Sequence, residues 1–375
     1  MLRVIVTMML AGIAADAAAG QPKDLMAGNI AVRADILAAG LDHPWGLDFL
    51  PDGSLIVTER TGALRILQKD RLSEPVAGVP DVAAKGQGGL LDVALSPNFA
   101  ASRLIFLSFS EPGPGGASTA LARARLAGGN GKWRLDDLSV IFRASKKTGS
   151  GVHFGSRIVF SPDGALFLTL GERGERDRAQ DGFDHAGSVI RIHPDGSVPP
   201  DNPFADGAKA LPEIWSKGHR NPQGAAWDTL TGGLLTVEHG ARGGDEVNSP
   251  QPGRNYGWPI ITFGRDYTGL TIGEGTQKAG YEQPLHYWDP SIAPSGLAVY
   301  SGSMFPEWQG DLLVGALKFE LLSRLDRDSA GKILAEERYF EGEFGRIRDV
   351  NVGPDGAIYL LTDDDDGAII RLTRG

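Results

Sequence analysis

Phe160-Ser161-Pro162-Asp163-Gly164-Ala165-Leu166-Phe167-Leu168 reads as strand, tight turn, strand. Proline presets φ for the turn, and glycine accepts the positive φ that follows. The apolar runs on either side read as buried strands. The same unit stands at Phe49-Leu50-Pro51-Asp52-Gly53-Ser54-Leu55-Ile56-Val57 and at Val352-Gly353-Pro354-Asp355-Gly356-Ala357-Ile358-Tyr359-Leu360. Weaker copies fill the gaps. Leu95-Ser96-Pro97-Asn98 leads into Arg103-Leu104-Ile105-Phe106-Leu107, and Ala226-Trp227-Asp228 leads into Leu234-Leu235-Thr236-Val237. Val299-Tyr300-Ser301-Gly302 leads into Asp311-Leu312-Leu313-Val314. Six units result, starting near residues 49, 95, 160, 227, 300 and 352. Such spacings fit four-stranded blades with loop insertions, and blades of this kind close around a channel. The fold expected is therefore all-β, a six-bladed β-propeller of four-stranded antiparallel blades. Residues 190–215 are where a seventh blade could hide. The alternative is a β-sandwich with accidental turn repeats.

The composition agrees. Among 375 residues, 52 glycines and 23 prolines are too many breakers for a helical bundle. Hydrophobic residues make up 41% and charged residues 22%, which excludes a disordered or fibrous chain. A formal net charge of −10 argues against nucleic acid as a partner. With no cysteine, disulfides, thiolate zinc sites, iron–sulfur clusters and thiol catalysis are excluded.

Residues 1–20 read as a signal peptide. Arg3 supplies the positive start, Val4 to about Ala14 the apolar stretch, and Ala15-Asp16-Ala17-Ala18-Ala19-Gly20 the small residues before cleavage. The apolar stretch is short for a membrane span, although an N-terminal anchor is the alternative. Residues 21–375 then form one propeller domain in the periplasm, with no membrane span in the mature protein. ATP and NAD are scarce there, so a redox enzyme would need a bound cofactor.

A propeller hosts many functions, so the polar residues between the strand repeats carry the information. In Gly86-Gln87-Gly88-Gly89-Leu90-Leu91-Asp92, glycines let backbone approach a flat ligand and Gln87 offers donor and acceptor. Equally, the stretch is a tight start to a strand with a surface glutamine. His153, in Gly151-Val152-His153-Phe154-Gly155, is placed as a general base or as a structural histidine. Glu172, in Leu170-Gly171-Glu172-Arg173-Gly174, is a carboxylate able to orient it. In Trp215–Gly224, Arg220 can hold a carboxylate, Asn221 adds an amide, and His219 is a second histidine capable of chemistry. The Gly-rich run Glu238–Asn248, with Gly253–Pro259, offers carboxylates and carbonyls suited to Ca²⁺, without EF-hand spacing. Its plainer reading is a charged surface loop.

Late in the chain come Lys318 and the pair Arg346 and Arg348. Two guanidiniums side by side need an anion between them. That anion is a polyanionic small molecule or a nearby Glu341, Glu343 or Asp349. Asp363-Asp364-Asp365-Asp366 reads as a solvated turn, with a weak cation site as the lesser reading. No HExxH, GxSxG, Walker loop or complete GxGxxG is present.

Taken in order, eight stretches resemble the soluble PQQ-dependent sugar dehydrogenases, in particular the bacterial aldose sugar dehydrogenases. They are HPWGLDFLPDG at 43–53, GQGGLLDV at 86–93, VHFGSRIVFSPDG at 152–164, GHRNPQG at 218–224, EHGARGGDEVN at 238–248, GRNYGWP at 253–259, APSG at 293–296 and GRIRDV at 345–350. The resemblance implies a six-bladed propeller that oxidises the C1 hydroxyl of an aldose to the lactone, with hydride passing to PQQ. By matching motif, His153 is the general base, and Glu172 stands where glucose-specific relatives carry an aspartate that supports it. Gln87, Arg220, Asn221, Lys318, Arg346 and Arg348 are implied to bind PQQ, Arg220 also belonging to the catalytic group. Tyr267 matches a tyrosine that packs near PQQ. Calcium is implied at the carbonyls of Gly240 and Ala241, where relatives often carry proline at the second position. A second calcium is implied at Glu246 and the Tyr256 carbonyl. The alternatives are a calcium-dependent lactonase-type propeller hydrolase and a non-catalytic binding propeller. The electron acceptor (a quinone, a cytochrome or an artificial dye) and the choice of monomer or homodimer are not written in these residues.

Overall fold

The computed structural model describes residues 21–129 and 131–375. The stretch read as a signal peptide lies outside the described residues.

Six antiparallel sheets follow one another around a ring. The first blade holds Pro44–Phe49, Leu55–Glu59, Leu64–Gln68 and the two-residue Arg71–Leu72; the second holds Leu90–Leu95, Leu104–Gly113, Gly116–Gly129 and Lys132–Arg143. The third holds Ile158–Phe160, Leu166–Thr169, Ser188–Ile192 and Ile214–Lys217; the fourth holds Pro222–Asp228, Gly233–Glu238, Asp245–Asn248 and His286–Trp288. The fifth holds Pro294–Val299, Leu312–Ala316, Leu322–Arg327 and Ile333–Tyr339. The sixth starts with Ile347–Val352, Ile358–Thr362 and Gly367–Arg374. The N-terminal strand Ile30–Leu41 completes it, paired to the C-terminal one from Val32↔Arg374 to Leu41↔Gly367. Lys23–Ala27 adds a fifth strand there, one more than the repeat predicts. This pairing of the two ends of the chain closes the ring without leaving an open edge between first and last blades. Residues 190–215 hold no seventh blade, because Ser188–Ile192 and Ile214–Lys217 pair with each other inside the third.

Each repeated unit is the hairpin joining the first two strands of a blade. Phe49 faces Leu55, Phe160 faces Leu166, and Val352 faces Ile358. The turn glycines Gly53, Gly164 and Gly356 have φ of 84°, 83° and 79°. A side chain on Gly53 or Gly164 would meet nothing within 4 Å, so conformation rather than space demands glycine. In each turn the aspartate carboxylate accepts the amide two residues on, at 3.0 Å for Asp52, 3.2 Å for Asp163 and 3.1 Å for Asp355.

The second strands of the first, third and sixth blades are buried along their whole length, because neighbouring blades cover both faces. Apolar clusters fill the gaps between blades. One joins Ile56 and Leu64 to Leu90 and Ile105, and another joins Ala38, Leu361 and Ile369 to Leu47 and Val57. Near the axis the inner strands come close enough to exclude side chains. A Cβ on Gly46 would stand 2.5 Å from Asp92 Oδ1, and one on Gly296 the same distance from Asp349 Oδ1.

The axis itself is polar. Arg157, just ahead of the third blade's inner strand, reaches Asp92 Oδ1 of the second at 2.9 Å. It also reaches Asp349 Oδ1 of the sixth, on the far side of the ring, at 2.9 Å. Its Nε donates to Gln223 O of the fourth blade at 3.2 Å, and its plane covers the Trp45 ring at 4.5 Å. Burial pushes the Asp92 carboxyl up to about 7 and raises Asp349, against the pull of Arg157. Removing the arginine leaves two buried carboxylates without a cation. Arg157→Met is expected to cost about 3–5 kcal/mol of stability at pH 7 in urea unfolding. The deficit shrinks as pH falls, because protonated Asp92 and Asp349 no longer need the cation.

Candidate active site

The hairpin turns mark one end of every blade. The opposite end is built from segments that precede an inner strand or follow a second strand. Gln87, His153, Arg220, Asn221 and Arg346 belong to the former, and Arg348 is the second residue of the sixth blade's inner strand; Glu172, Gly240, Ala241 and Lys318 follow second strands. Topology therefore gathers these predicted residues on one face.

His153 sits in a left-handed bend, φ 54°, before Ile158–Phe160. Its backbone amide donates to Gln87 Oε1 at 2.7 Å, and its Nδ1 lies 2.7 Å from Glu172 Oε1. Gln87 thus ties two loops together. A carboxylate at Nδ1 holds the proton there and leaves Nε2 with a lone pair. The imidazole is 13% exposed and the Glu172 carboxylate 1%, so one reaches solvent and the other does not. Burial lowers the His153 pKa, with Arg220 and Arg173 adding to the effect and Glu172 opposing it.

Arg220 is buried. Its guanidinium donates to His239 O at 3.1 Å and to Gly240 O, and lies 5.2 Å from the Trp258 ring. Asn221 Oδ1 accepts from Gly155 N at 3.1 Å. Arg220 Nε, Asn221 Nδ2 and Arg348 Nε are buried donors without a partner. His219 is a correction. It is fully buried, 2.8 Å from Glu238 Oε1 and 2.9 Å from Ser216 Oγ, and stacked on Tyr256 at 4.7 Å. Both ring nitrogens are satisfied, so it is structural.

Two adjoining chambers open on this face. One, of about 700 Å³, is lined by Gly240, Ala241, Tyr267 and Lys318; the other, of about 470 Å³, by Gln87, Gln223, Arg346 and Arg348. His239 and Ala293 line both. Tyr267 is 69% exposed, a rim residue. His153, Glu172, Arg220 and Asn221 adjoin the chambers without lining them, bonded to residues that do or to the loops beside them.

The anion between Arg346 and Arg348 is Asp363, at 3.3 and 2.6 Å, and His43 approaches it at 3.2 Å. The partners named from sequence, Glu341, Glu343 and Asp349, do not take that place: Glu343 pairs with Lys23, and Asp349 faces Arg157. Burial alone would raise Asp363, but Arg348, then Arg346 and Arg60, hold its carboxyl far below the usual carboxylate range. The four-aspartate run is therefore no uniform solvated turn. Asp363 is half-buried, its side chain 8% exposed and held as an ion-pair partner, while Asp364, Asp365 and Asp366 are exposed. Asp363 follows a second strand, as Glu172 and Lys318 do, and that regular position is the signal that could have found it. His239 has a comparable history. Its Nε2 donates to Pro294 O at 2.7 Å, and burial with Arg220 and Arg348 brings it down to about 3.

Oxygen donors for a hard cation are present. Gly240 O already faces a cation, the Arg220 guanidinium. Glu246 and Glu238 share the Asn248 amide, at 3.0 and 2.9 Å, and Asn248 Oδ1 has no partner. Burial, then Glu238, pushes Glu246 up to about 8, the mark of a site short of positive charge. Tyr256 joins this group through His219. Among the described residues no three His, Asp or Glu side chains form a metal cage, so a cation here leans on carbonyls and amides.

The chain is similar to known proteins over nearly its whole length. The family described as Glucose / Sorbosone dehydrogenase matches residues 41–371. Aldose sugar dehydrogenase YliI of Escherichia coli (strain K12) is 45% identical over 360 residues, 93% of this chain and 95% of that protein. The crystal structure of the soluble aldose sugar dehydrogenase from Escherichia coli in the apo-form matches with a TM-score of 0.88 at 44% identity, covering 92% of this chain and 100% of that one. The PQQ-bound form of aldose sugar dehydrogenase from Streptomyces coelicolor matches with a TM-score of 0.76 at 29% identity, covering 93% and 99%. With the six-bladed ring and the family match running from the first blade to the last strand, this chain belongs to the Glucose / Sorbosone dehydrogenase family.

Proposed function

We propose that residues 21–375 form one catalytic domain, a periplasmic quinoprotein that oxidises the C1 hydroxyl of aldose sugars to lactones with PQQ and Ca²⁺. One observation supports this above the others. An acidic chain gathers Arg220, Lys318, Arg346 and Arg348 at one face, with three buried donors there left unpaired. Such a pocket suits a flat ligand with several carboxylates, which PQQ is, better than a neutral sugar alone. The Streptomyces coelicolor relative is described as PQQ-bound, which favours the same ligand.

In this reading Lys318, Arg346 and Arg348 pair with carboxylates, and Gln87, Arg220, Asn221 and Tyr267 complete the cofactor's surroundings. The carbonyls of Gly240 and Ala241 hold the calcium of the active site. Glu246, with Tyr256 O, holds a second and structural one. When bound, PQQ supplies the two-electron chemistry as hydride acceptor, and Ca²⁺ polarises its quinone as a Lewis acid. The chain's own contribution is to bind, orient and deprotonate. Glu172 keeps the His153 proton on Nδ1, so Nε2 is free to take the proton of the sugar hydroxyl. Burial and the two neighbouring guanidiniums keep that imidazole neutral, hence basic, to lower pH than an ordinary histidine. The signal peptide read at residues 1–20 belongs to the same proposal. Among the described residues no helix is long and apolar enough to cross a membrane. A quinone, a cytochrome or an artificial dye takes the electrons onward.

The test is a titration of metal-free protein with PQQ and Ca²⁺, followed by absorbance after glucose is added. Reduction of bound PQQ is the expected result. Binding without reduction would point to other sugars or alcohols, and no binding to a lactonase or a binding propeller. His153→Gln is expected to lower kcat about 10³-fold while PQQ affinity stays within a few-fold. The acid limb of kcat/KM should fall below about 6.5, the ordinary histidine value, since the shift is downward. A flat profile down to about pH 4 contradicts the assignment. Chelator treatment should release PQQ and lower the unfolding temperature. Ca²⁺ should restore both better than Mg²⁺, which insists on octahedral geometry and keeps its waters.

A further inference from the structure

The loop that presents His153 is held by a residue with no role so far. His153 and Arg173 both have left-handed backbone, φ 54° and 64°, an arrangement that persists only where surrounding contacts enforce it. Arg173 follows Glu172 directly. Its guanidinium lies over the Phe154 ring, 3.4 Å from the centroid. Its Nη2 donates to Ser150 O at 2.5 Å and its Nη1 to Val152 O. One planar side chain thus grips the residues on both sides of His153, while its neighbour Glu172 grips the imidazole.

Arg173 is 3% exposed, and its hydrogen-bond partners are carbonyls, not carboxylates. Burying a cation in this way is costly, and an apolar side chain would pack on Phe154 at less expense. The arrangement makes sense if the charge and the fork both serve the loop. A lysine, a point charge on a flexible stem, could not span two carbonyls and lie flat on a ring at once.

We propose that Arg173 is a positioning residue for His153, fixing the 150–154 loop so that the imidazole meets its substrate from one defined place. The proposal rests on the reading of His153 as the base. Its charge adds a second effect. The groups facing His153 are Glu172, Arg173, Arg220 and His239. Of these, Arg173 and Arg220 favour the neutral imidazole and Glu172 the charged one. Removing Arg173 therefore moves the His153 titration upward.

The experiment compares Arg173→Met, which can still pack on Phe154, with Arg173→Lys, which keeps the charge. Two readouts are taken. One is NMR titration of the histidines in cofactor-free protein, with His153 assigned by its loss in His153→Gln. The other is kcat and KM for glucose in enzyme reconstituted with PQQ and Ca²⁺. For Arg173→Met we expect kcat down about 10-fold or more with KM within about twofold, and the His153 midpoint shifted upward. For Arg173→Lys we expect the midpoint close to wild type and kcat still reduced. A folded Arg173→Met protein whose His153 midpoint does not move overturns the proposal, even if kcat falls. Should Arg173→Met not fold, a wild-type kcat in Arg173→Lys overturns it. His153→Gln with wild-type activity would instead remove the base assignment, a failure recognisable apart from either Arg173 variant.

Discussion

A single guanidinium at the axis connects opposite sides of the ring. Arg157 faces Asp92 on an adjacent blade and Asp349 on the far one, and it also takes Gln223 O from the fourth blade. Inner strands can approach this closely only because Gly46 and Gly296 carry no side chain where Asp92 and Asp349 stand. The inner strands thus meet around paired charges. The same network reaches the functional face. Gln223, whose carbonyl accepts from Arg157, accepts Arg348 Nη1 on its side-chain oxygen at 2.7 Å. Arg348 in turn meets Asp363 at the chamber wall. Closure of the ring and placement of the site cations are one structure.

The propeller separates stability from chemistry by its two ends. At one end the Pro-Asp-Gly hairpins make compact turns that their own aspartates satisfy. At the other, longer connections carry ionisable groups that the rigid strands hold in place. Loops fixed at their roots by buried strands can keep strained conformations, such as the left-handed bends at His153 and Arg173.

Charge in the candidate site is balanced in a graded way. Asp363 neutralises part of the arginine pair and fixes its direction, while Lys318 and Arg220 have no carboxylate within ion-pair reach among the described residues. Histidines divide by environment. His219 is locked with both nitrogens bonded, His239 is held neutral by burial and two arginines, and His153 combines a carboxylate partner with access to solvent. That division bears on function more than the presence of any one histidine.

The blade number was legible because the turn chemistry is local: a Pro-Asp-Gly between apolar runs makes a hairpin whatever surrounds it. The face bearing the chemistry was legible for the same reason, since whatever lies between hairpins must lie at the other end. His153, Glu172, Arg220 and the cationic pair could be named from their motifs, and the folded chain brings them to one face. The extra strand Lys23–Ala27 was not readable, because no local pattern says that it pairs with Ile30–Leu41 at the ring's seam. Nor were the Arg157 bridge, the Asp363 partnership or the grip of Arg173 on the His153 loop. Each joins residues whose meeting depends on how blades or loops pack, and a charged side chain reads the same in sequence whether it is solvated or buried against a partner. Sequence alone determined which elements form and which end carries polar loops. Only the tertiary structure decided which charges neutralise one another, because burial and distance, not residue type, set the strength of those pairs.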